Sequence, residues 1–286
     1  MKFLRSITVI IIPALMLSCQ KNKGAIDTNI EAKTILGASY GPEPSQNMDV
    51  YLPAGRSVTS AKILLMIHGG AWESGDKADM RAYIDTIKNR LPGYAIFNIN
   101  YRLSVNSSSV FPTQENDIKK AFDFIINKSA EYNLSQKVVL MGVSAGGHLA
   151  LLQGYKYVSP VKAAAIVSFF GPTDMTDMYN NPASPLVPAS YIAAVVGTTP
   201  SEDSLLYATS SPVNFVSSAS PPTILLHGGL DPLVRPQQAV SLQLKLRDSG
   251  VINQYVFYPA EGHGFTNATV ADSFDKIQEF LSSNVH

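Results

Sequence analysis

The sequence predicts an α/β fold: a mostly parallel central sheet with helices on both faces and a short cap insertion. Short, continuously apolar runs alternate with segments of helical periodicity from residue 62 onward, which is the pattern of strand–helix–strand units. The apolar runs lack the in–out alternation of half-exposed strands, so they read as strands covered on both faces. Each runs at its C-terminal end into a glycine-rich or polar loop, where open parallel sheets place their sites.

The N-terminus precedes that pattern. Met1 to Arg5 carries two cations, Ile7 to Leu17 is almost wholly apolar, and Ser18-Cys19 leads into the polar Gln20-Lys21-Asn22-Lys23. This reads as a secretory signal, too short to span a bilayer comfortably. Cys19 is the sole cysteine and follows a small residue, with Met16 three positions before it. The arrangement resembles a bacterial lipoprotein signal, although that pattern prefers Leu where Met16 stands. The resemblance implies a signal peptide over 1–18, a lipid on Cys19, and an exported protein anchored at a membrane, periplasmic or cell-surface. An ordinary signal with a free thiol is the alternative. Residues 19–33 are polar and patternless and read as a tether, with the folded domain expected over 34–286.

Met48, Val50 and Leu52 alternate with Asp49 and Tyr51 and end at Pro53-Ala54-Gly55: a strand closed by a turn, expected to be antiparallel and near an edge. Lys62 to Ile67 is a buried strand running into His68-Gly69-Gly70-Ala71-Trp72, followed by a polar loop and a helical stretch to about Arg90. Ala95 to Asn100 is the next buried strand. From Pro112 to Glu131, residues Ile118, Ala121, Phe122, Ile125 and Ile126 share one helical face opposite Lys119, Lys120 and Asp123. Lys137 to Met141 is strand-like and leads through Gly142-Val143-Ser144-Ala145-Gly146 to a helix over Leu149 to Tyr157. Ala163 to Phe170 is a further strand.

Residues 172–220 are rich in Pro, Ser, Asn and Tyr and read as a cap-like insertion with short helices near 191–196 and 201–207. Thr223 to Leu226 is a strand ending in His227-Gly228-Gly229-Leu230-Asp231. Pro236 to Ser249 reads as a helix despite the alternation of Leu242, Leu244 and Leu246, because of its length and the proline at its start. Asn253 to Tyr258 is the last strand, ending at Glu261-Gly262-His263-Gly264-Phe265. Val270, Phe274, Ile277 and Leu281 mark a closing amphipathic helix.

With 286 residues, 45% apolar and a formal charge of zero, the chain has the composition of one large globular domain. The absence of net charge or of any basic stretch argues against a nucleic-acid partner. The histidines lack paired ligand spacing, so no metal or cofactor is implied.

Gly142-Val143-Ser144-Ala145-Gly146 fits a serine held on a tight strand-to-helix turn, its hydroxyl pushed outward and the helix N-terminus behind it. The same five residues also suit a plain turn packing a helix on a sheet, so the rest of the chain decides. A serine hydroxyl needs a base to take its proton and an acid to orient that base. Asp231 and then His263 follow Ser144, on the loops after the last two strands. The order Ser, Asp, His is that of one hydrolase arrangement and of neither the trypsin nor the subtilisin type. His68 and His227 also end strands, His148 suits a packing role in the helix, and His286 is terminal. Asp174 is the alternative acid. Oxyanion donors must be in place before charge develops. The N–H groups of Gly70, Ala71 and Ala145 are the candidates, with Gly69 a further one.

The stretches Asn47 to Lys77, Asn98 to Leu103, Phe111 to Ala150 and Ser211 to Phe265 together resemble the α/β-hydrolase fold, in the esterase and lipase group with a His-Gly-Gly-x-Trp oxyanion loop. They are similar in particular to bacterial feruloyl-esterase-like (BD-FAE-type) hydrolases, and also to kynurenine formamidases and acetyl-xylan esterases. Val143 stands where relatives often have Gly, and Ala71 where many have a third Gly. The resemblance implies a secreted serine carboxylesterase acting through an acyl-enzyme on a small-molecule or polysaccharide-linked ester, acetyl or feruloyl among them. A kynurenine formamidase-like amidohydrolase is the alternative within enzymes. A non-catalytic carbohydrate-binding protein on the same fold is the alternative from another class. The acyl group, the alcohol, the oligomeric state and the membrane face are open at this stage.

Overall fold

The computed structural model describes residues 30–105, 108–157 and 160–286. The signal segment, Cys19 and most of the expected tether lie outside the described residues. The strands are β1 (Lys33–Ser39), β2 (Asn47–Leu52), β3 (Lys62–Ile67), β4 (Tyr94–Ile99), β5 (Val138–Val143), β6 (Ala165–Phe169), β7 (Thr223–Gly228) and β8 (Asn253–Tyr258). They form one sheet in the order β1-β2-β4-β3-β5-β6-β7-β8. β2 pairs antiparallel with both β1 and β4, while β4, β3, β5, β6, β7 and β8 pair in parallel.

The helices explain why the central strands are apolar throughout. Along β3, Ile63, Leu65 and Ile67 point into a core shared with α2 (Thr113–Lys128), α3 (Ala145–Lys156) and α7 (Gln237–Asp248). The intervening Leu64 and Met66 point into a second core against α1 (Arg81–Arg90) and α8 (Asn267–Asn284). Both faces are covered, so every position from Ile63 to Ile67 is buried, and each such side chain contributes about 1.5–3 kcal/mol on leaving water. In α7, Leu242 and Leu246 are buried one turn apart and Leu244 is exposed. The helical spacing, not the local alternation, decides that segment. The insertion carries α4 (Met175–Asn180), α5 (Ala189–Val196) and α6 (Ser204–Thr209). No helix among the described residues is long and apolar enough to cross a membrane.

Three expectations are corrected. The folded body begins before residue 34: the Ile30 carbonyl already accepts the Gly55 N–H at 2.8 Å, and β1 starts at Lys33. β1 carries no apolar alternation because it is an edge strand, largely exposed and bulged between Ile35 and Ala38. The helix after the serine turn starts at Ala145, not Leu149. Its glycines, poor helix formers in isolation, are held there by packing. α4 was not expected; the Asp174 side chain caps it by accepting the Asp177 N–H.

Candidate active site

The serine turn contains no spare residue, since β5 ends at Val143 and α3 begins at Ala145. Ser144 takes φ 55° and ψ −121°, a conformation that costs a non-glycine residue about 1–3 kcal/mol unless its surroundings enforce it. The enforcement is visible. Its N–H donates to the Phe169 carbonyl on β6 at 2.8 Å, and its carbonyl accepts the His148 N–H at 3.0 Å. A Cβ on Gly142 would lie 2.0 Å from the Gly146 carbonyl oxygen, and one on Gly146 would lie 2.1 Å from the Ile67 carbonyl oxygen on β3. The two flanking glycines are therefore demanded by contact between β5, α3 and β3.

The loops after β7 and β8 bring the other two groups across β6 to this turn. His263 Nε2 lies 2.8 Å from Ser144 Oγ, and His263 Nδ1 lies 2.7 Å from Asp231 Oδ2. Nδ1–H donating to the carboxylate leaves the Nε2 lone pair to accept the serine proton, the arrangement a general base requires. Phe170, itself at φ 38°, sets its ring 4.6 Å from the His263 ring, centroid to centroid. Asp231 is fixed from its other side: Oδ1 accepts the N–H groups of Leu233 and Val234 at 2.8 and 2.9 Å.

His227 closes this arrangement. It is fully buried near the end of β7, and its Nε2–H donates to the Val234 carbonyl at 2.9 Å with Asp231 Oδ2 beside it at 3.2 Å. Burial pushes the Asp231 carboxyl up, but hydrogen bonds from His227 and His263 outweigh it and hold the group well below the usual carboxylate range. It is thus a carboxylate whenever the imidazole needs one. Asp174 caps α4 and is not brought to His263.

The loop expected to hold the oxyanion leaves β3 beside the serine. A Cβ on Gly69 would lie 3.3 Å from Ser144 Cβ. Gly70, Ala71 and Trp72 follow at φ 105°, 54° and 65°, three successive left-handed residues. Among the described residues, the N–H groups of Gly70, Ala71 and Ala145 make no hydrogen bond within the chain; Ala145 opens α3, so its N–H is one of the free donors of a helix start. Trp72 is buried, and its Nε1–H donates to His148 Nδ1 at 3.2 Å. His148 Nε2–H in turn donates to the Ser210 carbonyl at 2.8 Å. Burial pushes the His148 imidazole down to about 4, so the ring stays neutral and one nitrogen can accept. His68 is buried, stacked on Tyr101, with Nδ1 on the Gly69 carbonyl; it supports the loop's backbone and does not join the relay.

Residues that sequence reasoning did not place are Phe170 against the imidazole and Tyr191 of α5, whose hydroxyl donates to the Ala71 carbonyl at 2.9 Å. A small apolar cavity lined by Val143, Phe169, Phe170 and Phe265 lies between the neighbours of Ser144 and His263.

A serine on the tight turn between a central parallel strand and a helix, with a histidine and an aspartate brought to it by the loops after β8 and β7, defines the α/β-hydrolase fold. Within that fold the BD-FAE family model matches residues 48–246, and the chain belongs to this family. The match includes Ser144 and Asp231 and ends before His263. Among curated proteins the chain is similar to esterase LipC of Mycobacterium tuberculosis, 27% identical over 79% of this chain and 58% of that one. It is likewise similar to esterase LipQ of the same organism, 28% identical over 85% of this chain and 60% of that one. The chain thus spans less than two thirds of the length of these relatives. Among solved structures it is similar to a truncated form of a carbohydrate esterase from gut microbiota, with a TM-score of 0.75 and 26% identity over 91% of this chain and 98% of that one.

Proposed function

We propose that this protein is a serine carboxylesterase that works through an acyl-enzyme. The observation that carries the reading is the continuous hydrogen-bonded path from Ser144 Oγ through the His263 imidazole to the Asp231 carboxylate. Ser144 Oγ attacks the ester carbonyl as its proton passes to His263 Nε2. The carbonyl oxygen becomes an oxyanion facing the N–H groups of Gly70, Ala71 and Ala145. On collapse the bond to the alcohol oxygen breaks, and that oxygen takes the proton from Nε2. A water then gives a proton to Nε2 and attacks the acyl carbon; the second collapse frees the carboxylic acid and returns the proton to Ser144. Asp231 holds the imidazole in the required tautomer and stabilises its cation at each transfer. Preformed backbone donors of this kind are each worth about 10²–10³ in rate.

The substrate in this reading is an acyl ester on a carbohydrate, with acetyl and feruloyl the candidate acyl groups. The likeness to a carbohydrate esterase supports a sugar on the alcohol side. Export and lipidation at Cys19, argued from the N-terminal sequence, would place the enzyme at a bacterial membrane where polysaccharide is met.

A fluorophosphonate probe tests the chemistry: the wild type is labelled on Ser144, and Ser144→Ala is not. No adduct on folded wild type removes the esterase reading in favour of a binding protein. Acetyl, butyryl and feruloyl esters, acetylated xylan and formylkynurenine, assayed side by side, then rank the substrates, and a formamide turned over fastest overturns the ester assignment. Mass spectrometry of the mature N-terminus, with Cys19→Ser as control, tests the lipid.

A further inference from the structure

We infer that Tyr191, on α5 of the cap, is a positioning residue that holds the oxyanion loop in its working conformation; this rests on the esterase reading above. The loop is built from three consecutive left-handed residues, and only the first is a glycine. L-residues avoid this region because Cβ crowds the backbone, so Ala71 and Trp72 relax toward ordinary angles unless other contacts hold them.

Trp72 has two such restraints. Its carbonyl accepts the Ser104 N–H at 2.8 Å, and its indole is locked between Phe111 and His148. Ala71 has a methyl group and no side-chain hold of its own. Within the loop, the Gly70 carbonyl accepts the N–H groups of Glu73 and Ser74 at 3.2 and 2.9 Å; the hold on Ala71 from outside the loop is the Tyr191 hydroxyl, which donates to the Ala71 carbonyl at 2.9 Å from 120 residues away in the chain. This bond fixes the peptide plane following Ala71, and with it the backbone that carries the candidate oxyanion donors Gly70 and Ala71.

The hydroxyl is suited to the task. Burial, with the Glu73 carboxylate nearby, pushes the phenol above its usual range, so it remains a donor at any pH at which the protein works. The α5 helix that carries it is fixed by the buried Ile192, Val195 and Val196. A rigid element of the cap thus does for Ala71 what a glycine would do without help, because glycine enters the left-handed region at no steric cost.

The test is a double-mutant cycle on p-nitrophenyl acetate with wild type, Tyr191→Phe, Ala71→Gly and the double variant. Tyr191→Phe lowers kcat about tenfold with KM within about twofold, since the loss falls on the oxyanion and not on ground-state binding. In the Ala71→Gly background the same substitution lowers kcat by less than about threefold, because the strain that Tyr191 opposes is gone. Equal losses in both backgrounds, or a loss confined to KM, overturn the inference. Tyr191→Met, which keeps apolar bulk and lacks the hydroxyl, repeats the cycle if Tyr191→Phe melts early. A wild type with neither turnover nor fluorophosphonate labelling removes the esterase reading, and this role with it.

Discussion

Asp231→Asn is the sharpest perturbation the site offers, because it changes one atom in a fully enclosed place. The Asp231 side chain has no exposed surface, and its two oxygens have distinct tasks. Oδ1 accepts two backbone N–H groups, and only an oxygen can do that. The asparagine must therefore keep its carbonyl there and turn its NH2 toward His263 Nδ1 and His227 Nε2. A donor facing Nδ1 forces the imidazole into the tautomer with hydrogen on Nε2, which cannot accept the Ser144 proton. With the geometry otherwise intact, loss of the correct tautomer costs about 10⁴ in kcat, or roughly 5.5 kcal/mol in the barrier. KM stays within about threefold, because Asp231 is enclosed and touches no substrate. Steady-state release of p-nitrophenol from the acetate ester measures both constants. Asp174→Asn is the control: asparagine caps a helix as well as aspartate does, so activity stays within about twofold. Asp231→Asn retaining activity within tenfold of wild type, or an equal loss in Asp174→Asn, refutes the assignment of the acid.

Other consequences follow from buried groups. The unfolded chain takes a proton on His148 below about pH 6.5, whereas the folded protein refuses it until about 4. The neutral ring's contribution is fully present above 6.5 and is lost as pH falls toward 4, about 3 kcal/mol in all. Urea melts across that window show this slope in wild type and a shallower one in His148→Gln; identical slopes contradict it. His68, also pushed down by burial, adds a change of the same sign in both proteins. Gly146→Ala drives a methyl into the Ile67 carbonyl and lowers stability by about 3 kcal/mol or more, whereas Gly250, which turns the chain in open space at φ 72°, loses only about 1 kcal/mol on the same change. Lys156→Met leaves Glu115 buried without its cation and costs about 3–5 kcal/mol in a denaturant titration; a loss under 1 kcal/mol shows the pair to be screened.

Much of the fold was legible because burial on both faces writes a plain signal. Ile63 to Ile67 and Val138 to Met141 are apolar at every position, and each is a strand with a core on either side. The residues of the candidate site were legible for a related reason: the loops leaving such strands are glycine-rich, so Ser144 between Gly142 and Gly146, Asp231 two residues after Gly229, and His263 between Gly262 and Gly264 stand out. β1 was not legible, since an exposed edge strand held by backbone bonds needs no apolar side chains. Neither was the clamp on Ala71. A tyrosine in a loop-rich segment announces nothing about the carbonyl it will reach, and its meaning depends on the tertiary path of the cap. The same holds for His227, whose ring could have faced the serine from the end of its strand. The structure turns it instead to the loop that carries Asp231, where Val234 and the carboxylate share its N–H.

The separation between Ser144 and His263 along the chain is 119 residues, with β8 the outermost strand on its side of the sheet. β8 is held to the sheet through β7 alone, and elements at the margin of a fold open at a lower free energy than its core. Fraying of that strand withdraws the imidazole carried on the loop after it, while the serine turn, embedded between β3 and β6, stays in place. The hydroxyl and the group that takes its proton thus belong to parts of the sheet with different local stability.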